Sequence, residues 1–426
     1  MQRRSLPGSD DVLRQELPNT AIVLSRENFA SSSVNLLVNL AVGSLDDPLE
    51  KSGLADLTAS ALTRGTHQKS FQKIYETLEA QGSMLSVGVG AHNTQLTAKG
   101  LAEDIESMLE LIADVLFEPV FPDDEVDLLR GQKLTALAIR DEDTRAVAQQ
   151  AFADLAYKDH PYRFPSDGFQ ESVTPLQSEE LRKFHELHYG PLGMIVVVVG
   201  AVTSQEAADV VAKHLGVWEN TSQKPRSELA PVKPLEKRVR RDVELLGKVQ
   251  SDIVIGVPGP RRKDQEYLAA ALGNSALGRF GMMGRIGESV REQAGLAYYA
   301  YSALAGGLGP GPWQVNAGVN PSNLERTIDL ILKELQRVFS EGITAEELED
   351  NQSNFIGRLP LRLESNMGVA SALMHIERHG LGLDYYRHFA EQIATVSLTD
   401  VHDAVKRYLD PDRVAIGVAG PTHKGG

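Results

Sequence analysis

Residues 53–66, GLADLTASALTRGT, have the spacing of a metal-binding helix. On a helix Asp56, Ala59 and Ser60 stand at i, i+3 and i+4 and share a face, while Leu54, Leu57, Ala61 and Leu62 form an apolar stripe on another. Two histidines and a glutamate at those three positions would hold zinc and activate its water. An isolated Asp56 beside a methyl and a hydroxyl offers one weak ligand, so this helix is expected to bind no metal. His375 and His379 in MHIERH are also four apart, but Glu377 between them would point away and no third ligand suggests itself. That pair reads as a helical surface feature. His185 and His188 in FHELHYGP fall on a helix leading into a strand, where capping or packing is the expected role. There is no G-x-S-x-G elbow and no cysteine, so the usual nucleophile constellations are unsupported. The glycine-rich run LGNSALGRFGMMGR (272–285) lacks the G-K-[ST] ending of a phosphate loop. Its Gly278, Gly281 and Gly284 would allow close backbone approach, and a flexible turn between helices fits them equally well.

The elements that must position these residues come in two copies. The chain has 426 residues, too many for one ordinary core, and a polar stretch with three prolines at 219–237 reads as a linker. The run HYGPLGMIVVVVGAV (188–202) is echoed by RYLDPDRVAIGVAGP (407–421), with Tyr189 and Tyr408 separated by 219 residues. Ile105, Leu109, Ile112 and Leu116 pair at the same offset with Leu324, Ile328, Ile331 and Leu335. One offset shared by separated elements marks a duplicated domain, 1–218 and 238–426 about the linker. Strands occur in pairs, as in MLSVGVGAHNTQLTAKG (84–100), rather than in strict alternation with helices. The expected class is therefore α+β: two homologous domains, each a mostly antiparallel sheet with helices on one face. Net charge is −15, from 43 basic and 58 acidic residues. Such a field repels a phosphate backbone, which argues against nucleic acid; it would attract a basic peptide, but solubility is the favoured reading of an acidic surface. The N-terminus shows no apolar signal segment, and MIVVVVGAV (194–202) is too short to span a bilayer. With no cysteine, a reducing compartment fits, and a cytoplasmic protein without a membrane partner is expected.

The segment GSLDDPLEKSGLADLTASALTRGT (43–66) resembles the active-site segment of the pitrilysin and mitochondrial-processing-peptidase family, the inverted zincins, whose catalytic members carry H-x-x-E-H there. By that match Asp56 and Ser60 occupy the two histidine positions and Ala59 the glutamate position. The family's third ligand, a glutamate, should fall within KLTALAI (133–139), which has no carboxylate. YETLEAQGSMLSVGVG, LIADVLFEPVFPDDEVDLLR, AYKDHPYRFP and FHELHYGPLGMIVVVVGAV are similar to family segments in the same order. The segment GRIGESVREQAGLAYYAYS (284–302) resembles the one where the family places an arginine and a tyrosine seven apart, here Arg291 and Tyr298. The resemblance implies that this pair binds the substrate carbonyl and stabilises its oxyanion, a fitting task for a guanidinium and a phenol. Tyr299, on the opposite strand face, is the rival in register. It also implies that the glycine run around Gly278, Gly281 and Gly284 helps take up peptide, as in some non-catalytic subunits. The whole chain would then be half of a clam-shell, carrying no cofactor of its own and meeting zinc in an H-x-x-E-H-bearing partner subunit. An enzymatically silent scaffold or peptide-binding homodimer of the same fold is the alternative.

Overall fold

The computed structural model describes residues 6–226, 228–279 and 284–421. In the first half run β1 (Leu13–Glu16), β2 (Ile22–Glu27), β3 (Ser33–Leu40), α1 (Leu54–Ala61), α2 (Phe71–Ala80), β4 (Met84–Val89) and β5 (Thr94–Leu101). Helices α3 (Ile105–Phe117), α4 (Asp123–Arg140), α5 (Thr144–Ala156), α6 (Gln170–Val173) and α7 (Ser178–His188) lead to β6 (Ile195–Gly200) and α8 (Ser204–His214). The linker stretch holds no helix or strand among its described residues.

The second half opens with β7 (Val239–Glu244), β8 (Ser251–Pro258) and α9 (Tyr267–Gly278). A short α10 (Gly284–Ile286) runs into wider helical turns at Gly287–Gln293, followed by β9 (Ala297–Gly306) and β10 (Pro310–Val319). Then come α11 (Leu324–Glu341), α12 (Ala345–Arg362), α13 (Asn366–His379), α14 (Tyr385–Ala394), α15 (Leu398–Tyr408) and β11 (Ala415–Gly420).

The duplication is visible in the hydrogen bonding. One sheet has the order β1-β2-β6-β3-β5-β4 and the other β7-β11-β8-β10-β9, the same path without the extra edge strand. In each, only the pairing of the opening strand with the closing strand is parallel, β2 with β6 and β7 with β11. The 84–100 segment folds as the antiparallel hairpin β4–β5, and the second copy repeats it as β9–β10. Both sheets are α+β and mostly antiparallel, as the paired strands indicate.

The closing strands β6 and β11 are buried at every position, so each sheet must be covered on both faces. On one face of the first sheet Val34, Leu36, Val38, Val196 and Val198 join the core with Leu54, Leu57, Leu109 and Ile112. Helix α13 packs on β3 and β6 of this sheet. In the second sheet Ile253, Ile255, Val315 and Val418 pack with Leu272, Ile331, Leu335 and Val401. Its other face sets Val254, Ala415 and Ala419 against Ala148, Phe152 and Ala156 of α5. Each sheet thus gains, beyond its expected helical layer, one helix from the other half of the sequence. The two compact units consequently interleave: residues 1–137, 165–228 and 359–388 form one, and 138–164, 229–358 and 389–426 the other. A contiguous division about 219–237 follows the repeat in the sequence. The units depart from it because an all-apolar strand needs cover on both sides.

Candidate functional site

Helix α1 begins after Gly53, whose φ of +97° is open to glycine. No side chain at that position can cap the helix, and Asp47 does so from the preceding loop. Its carboxylate accepts the Gly53 N–H at 2.8 Å and the Ala55 N–H at 2.7 Å, satisfying two of the orphan donors at a helix start. Burial pushes the Asp47 carboxyl up to about 7, against those two bonds, with Asp46 and Asp56 adding to the rise. The leucine stripe packs as expected, with Leu54, Leu57, Ala61 and Leu62 all in the first core.

The three positions opposite that stripe cannot hold zinc. Ala59 is buried, Ser60 is exposed, and Asp56 is half-buried, so they do not form the single open face that the spacing alone suggests. Asp56 already has a cation: Lys133 of α4 donates its ammonium to Asp56 Oδ2. Lys133 opens the very segment in which the resemblance places a ligating glutamate. A carboxylate, a methyl and a hydroxyl, with an ammonium at the fourth place, supply no zinc ligand set. Among the described residues no group of three or more histidines and acids is gathered closely enough to hold a metal ion. His185 is half-buried, donates from Nε2 to Leu116 O at 2.8 Å, and stacks on Tyr189; burial depresses it to about 4. His375 and His379 lie with ring centroids 4.7 Å apart on α13. His379 is buried, where a surface pair is expected, because α13 is the helix that covers the first sheet.

Arg291 and Tyr298 both lie in the second unit. Arg291 sits in the wide turns of Gly287–Gln293, its side chain 38% exposed and 3.6 Å from Glu292. Tyr298 is the second residue of β9, an edge strand, and is 64% exposed. Tyr299 faces the other way. Its hydroxyl donates to Asp252 Oδ1, its oxygen accepts from Arg145 Nε at 3.0 Å, and the Arg145 guanidinium lies 4.2 Å from its ring centroid. Asp252 is fully buried on β8 and also accepts from Thr144 Oγ1 and from Gln250 Nε2. Burial and the Asp252 carboxylate both raise the Tyr299 phenol. Tyr299 is thereby committed to joining α5 to the sheet, whereas Tyr298 presents its ring to solvent. Asp252 was legible only as a lone acid in the apolar strand SDIVIGVP, a pattern that calls for buried partners.

Two of the three glycines have reasons inside the unit. A Cβ on Gly278 would meet Ser302 N of β9 at 2.3 Å, so α9 could not lie as close to that strand. Gly284 has a φ of +62°, and its Cβ would stand 2.6 Å from Ala276 O. Gly281 lies outside the described residues.

Residues 22–165 match the family model described as Insulinase (Peptidase family M16), and residues 175–355 match the one described as Peptidase M16 inactive domain. The chain belongs to peptidase family M16. An uncharacterized zinc protease of Mycobacterium leprae is 29% identical over 98% of this chain and 91% of its own length. A protein of Helicobacter pylori named as the non-peptidase homolog YmxG is 23% identical over 90% of this chain and 87% of its own. The crystal structure of a peptidase M16 inactive domain from Pseudomonas fluorescens superposes with a TM-score of 0.90 at 24% identity, covering 97% of this chain and 99% of that one. A protease from Helicobacter pylori gives the same TM-score at 21% identity over 98% and 100%. The inactive-domain model covers the second half of the chain, and in the first half the ligand positions of the metal helix hold Asp56, Ala59 and Ser60. No described helix is long and apolar enough to cross a membrane.

Proposed function

We propose that this chain is the zinc-free subunit of a two-subunit M16 peptidase and works beside a chain that carries H-x-x-E-H. The observation behind this is an asymmetry between the copies. In the first, an internal ion pair, Lys133 with Asp56, occupies the place of the metal machinery. In the second, Arg291 and Tyr298 keep an exposed guanidinium and phenol, with Glu292 the one ion-pair partner of Arg291 among the described residues. Two exposed donors suit the carbonyl oxygen of a bound peptide, where negative charge develops during hydrolysis. The zinc and the water that attacks belong, in this reading, to the partner. A cytoplasmic location is part of the same proposal and rests on the cysteine-free sequence.

The test is to co-express the chain with an H-x-x-E-H family member encoded beside it and to assay peptide hydrolysis by each alone and by the mixture. Activity should require both. Arg291→Ala and Tyr298→Phe should each lower kcat by about 10²–10³, the loss typical of one oxyanion donor, while co-purification is unchanged. Full activity in both variants would sink the trans role. Assembly without peptide hydrolysis by the wild-type pair would instead favour the silent peptide-binding or scaffold alternative.

A further inference from the structure

One face of the first sheet is polar and holds no acid where its helical cover ends. Val34, Leu36, Val38, Leu96 and Ala98 point into the first core. By strand alternation Asn35, Leu37 and Asn39 of β3, with Gln95, Thr97 and Lys99 of β5, point the other way. Helix α13 covers β3 and β6. At the edge β4 adds Met84, Ser86 and Gly88, paired with Lys99, Thr97 and Gln95 and all exposed. In a chain of net charge −15, none of these positions carries a carboxylate.

The last turn of α13 brings a cation that the chain leaves unmatched. Arg378 is half-buried. Its Nη1 donates to the neutral Asn93 Oδ1 at 3.0 Å, and its Nε is buried without an acceptor. It forms no ion pair among the described residues. Burial lowers its pKa, and no carboxylate stands near enough to oppose that fall. The adjacent Glu377 is no counter-charge, because Arg14 holds it in a bidentate pair at 3.0 and 2.8 Å. Asn93 therefore satisfies one N–H of a guanidinium that has five, and a partly desolvated charge without a partner is unfavourable.

A second observation is independent of that charge. Asn39 is 3% exposed, and its Oδ1 has no hydrogen-bond partner. Its Nδ2 donates to no group among the described residues. Asn39 lies directly across from Gln95, which is two residues, or about 7 Å of strand rise, from Asn93. An amide bonded to nothing and an unmatched guanidinium thus stand at the same end of one sheet face.

We propose that Arg378 and Asn39 form a site for a carboxylate of a bound peptide. The planar fork of an arginine matches the two oxygens of a carboxylate and supplies the opposite charge. Asn39 can donate to the same group from Nδ2. Where the carboxylate is the peptide's own C-terminus, Asn39 Oδ1 can also accept the last backbone N–H. This inference rests on the reading that the chain takes up peptide, and it adds which group the peptide must bring.

The test uses the full chain alone, so that it does not depend on a catalytic partner. Three acetylated pentapeptides are compared by calorimetry at about 0.15 M salt, where the field of the net charge is screened within about 8 Å. One is pentaalanine with a free C-terminus, one is amidated and carries a central glutamate, and one is amidated pentaalanine without any carboxylate. At least one of the first two should bind about tenfold or more tighter than the third, and which one does so identifies the source of the carboxylate. Arg378→Gln should bring all three within about twofold. Asn93→Asp, which puts a carboxylate of the chain's own where Oδ1 already meets Arg378, should do the same and raise the melting temperature. The proposal is overturned by equal binding of all three peptides, by no measurable binding of either carboxylate peptide, or by an undiminished preference in either folded variant. A mixed complex that needs Arg291 and Tyr298 but ignores the carboxylate would remove this site from the account and leave the subunit role standing. A carboxylate preference that depends on Arg378, in a complex indifferent to Arg291 and Tyr298, would do the reverse.

Discussion

If the Lys133 ammonium has taken the place of a metal cation beside Asp56, the two residues must be energetically coupled. The side chains are 14% and 25% exposed, so the pair is neither a surface pair nor a fully buried one. Exposed pairs contribute about 0–1 kcal/mol, and removing one partner of a buried pair costs about 3–5 kcal/mol. Lys133→Met keeps the stem and removes the charge, which leaves a mostly covered carboxylate unpaired. An intermediate cost of about 2 kcal/mol follows, or about 4–8 °C in the melting temperature of a unit of this size. Asp56→Asn should cost less, about 1 kcal/mol, because a lysine stem can carry its charge outward to water. The double variant leaves no unpaired charge and should lie within about 0.5 kcal/mol of wild type, a coupling of about 2 kcal/mol or more by double-mutant cycle. Urea and thermal unfolding of the full chain followed by circular dichroism would measure all four proteins. Single-variant losses that simply add in the double variant would refute the claim that the ammonium stands in for the metal.

Two further predictions concern the start of α1 and the end of α9. Burial holds the Asp47 carboxyl up at about 7 in the folded chain, well above its ordinary value of 3.8. Because the folded value is the higher one, its stabilising contribution is complete below about pH 4 and is lost as pH rises through about 7. Between pH 5 and 8 the wild type should therefore lose about 2–3 kcal/mol more stability than Asp47→Asn, which stays neutral throughout; parallel stability profiles for the two would count against it. Gly278→Ala should lower stability by about 1–3 kcal/mol, since its new methyl meets the backbone of β9 and must push α9 away. An unchanged unfolding curve would show that the helix yields without cost, and would leave peptide uptake as the reason for that glycine.

Much of the architecture could be read along the chain because it is local and periodic. The 219-residue offset between Ile105–Leu116 and Leu324–Leu335 established two copies, and the paired strands of 84–100 established an antiparallel sheet. The vacancy at Asp56, Ala59 and Ser60 was equally plain, since ligand chemistry depends on residue type and spacing. Tertiary structure alone decided what fills that vacancy, because Lys133 lies 77 residues from Asp56 and only the packing of α4 brings them together. It alone committed Tyr299 to Asp252 and Arg145 while leaving Tyr298 in solvent, for strand alternation separates two neighbours without saying which face is covered. The same limit hid the interleaving. A run such as IVVVVG shows that both faces of a strand are buried, but not that α13, some 170 residues further on, packs there. Side-chain type and period are properties of a segment; cover, charge pairing and close approach belong to whatever the fold places against it.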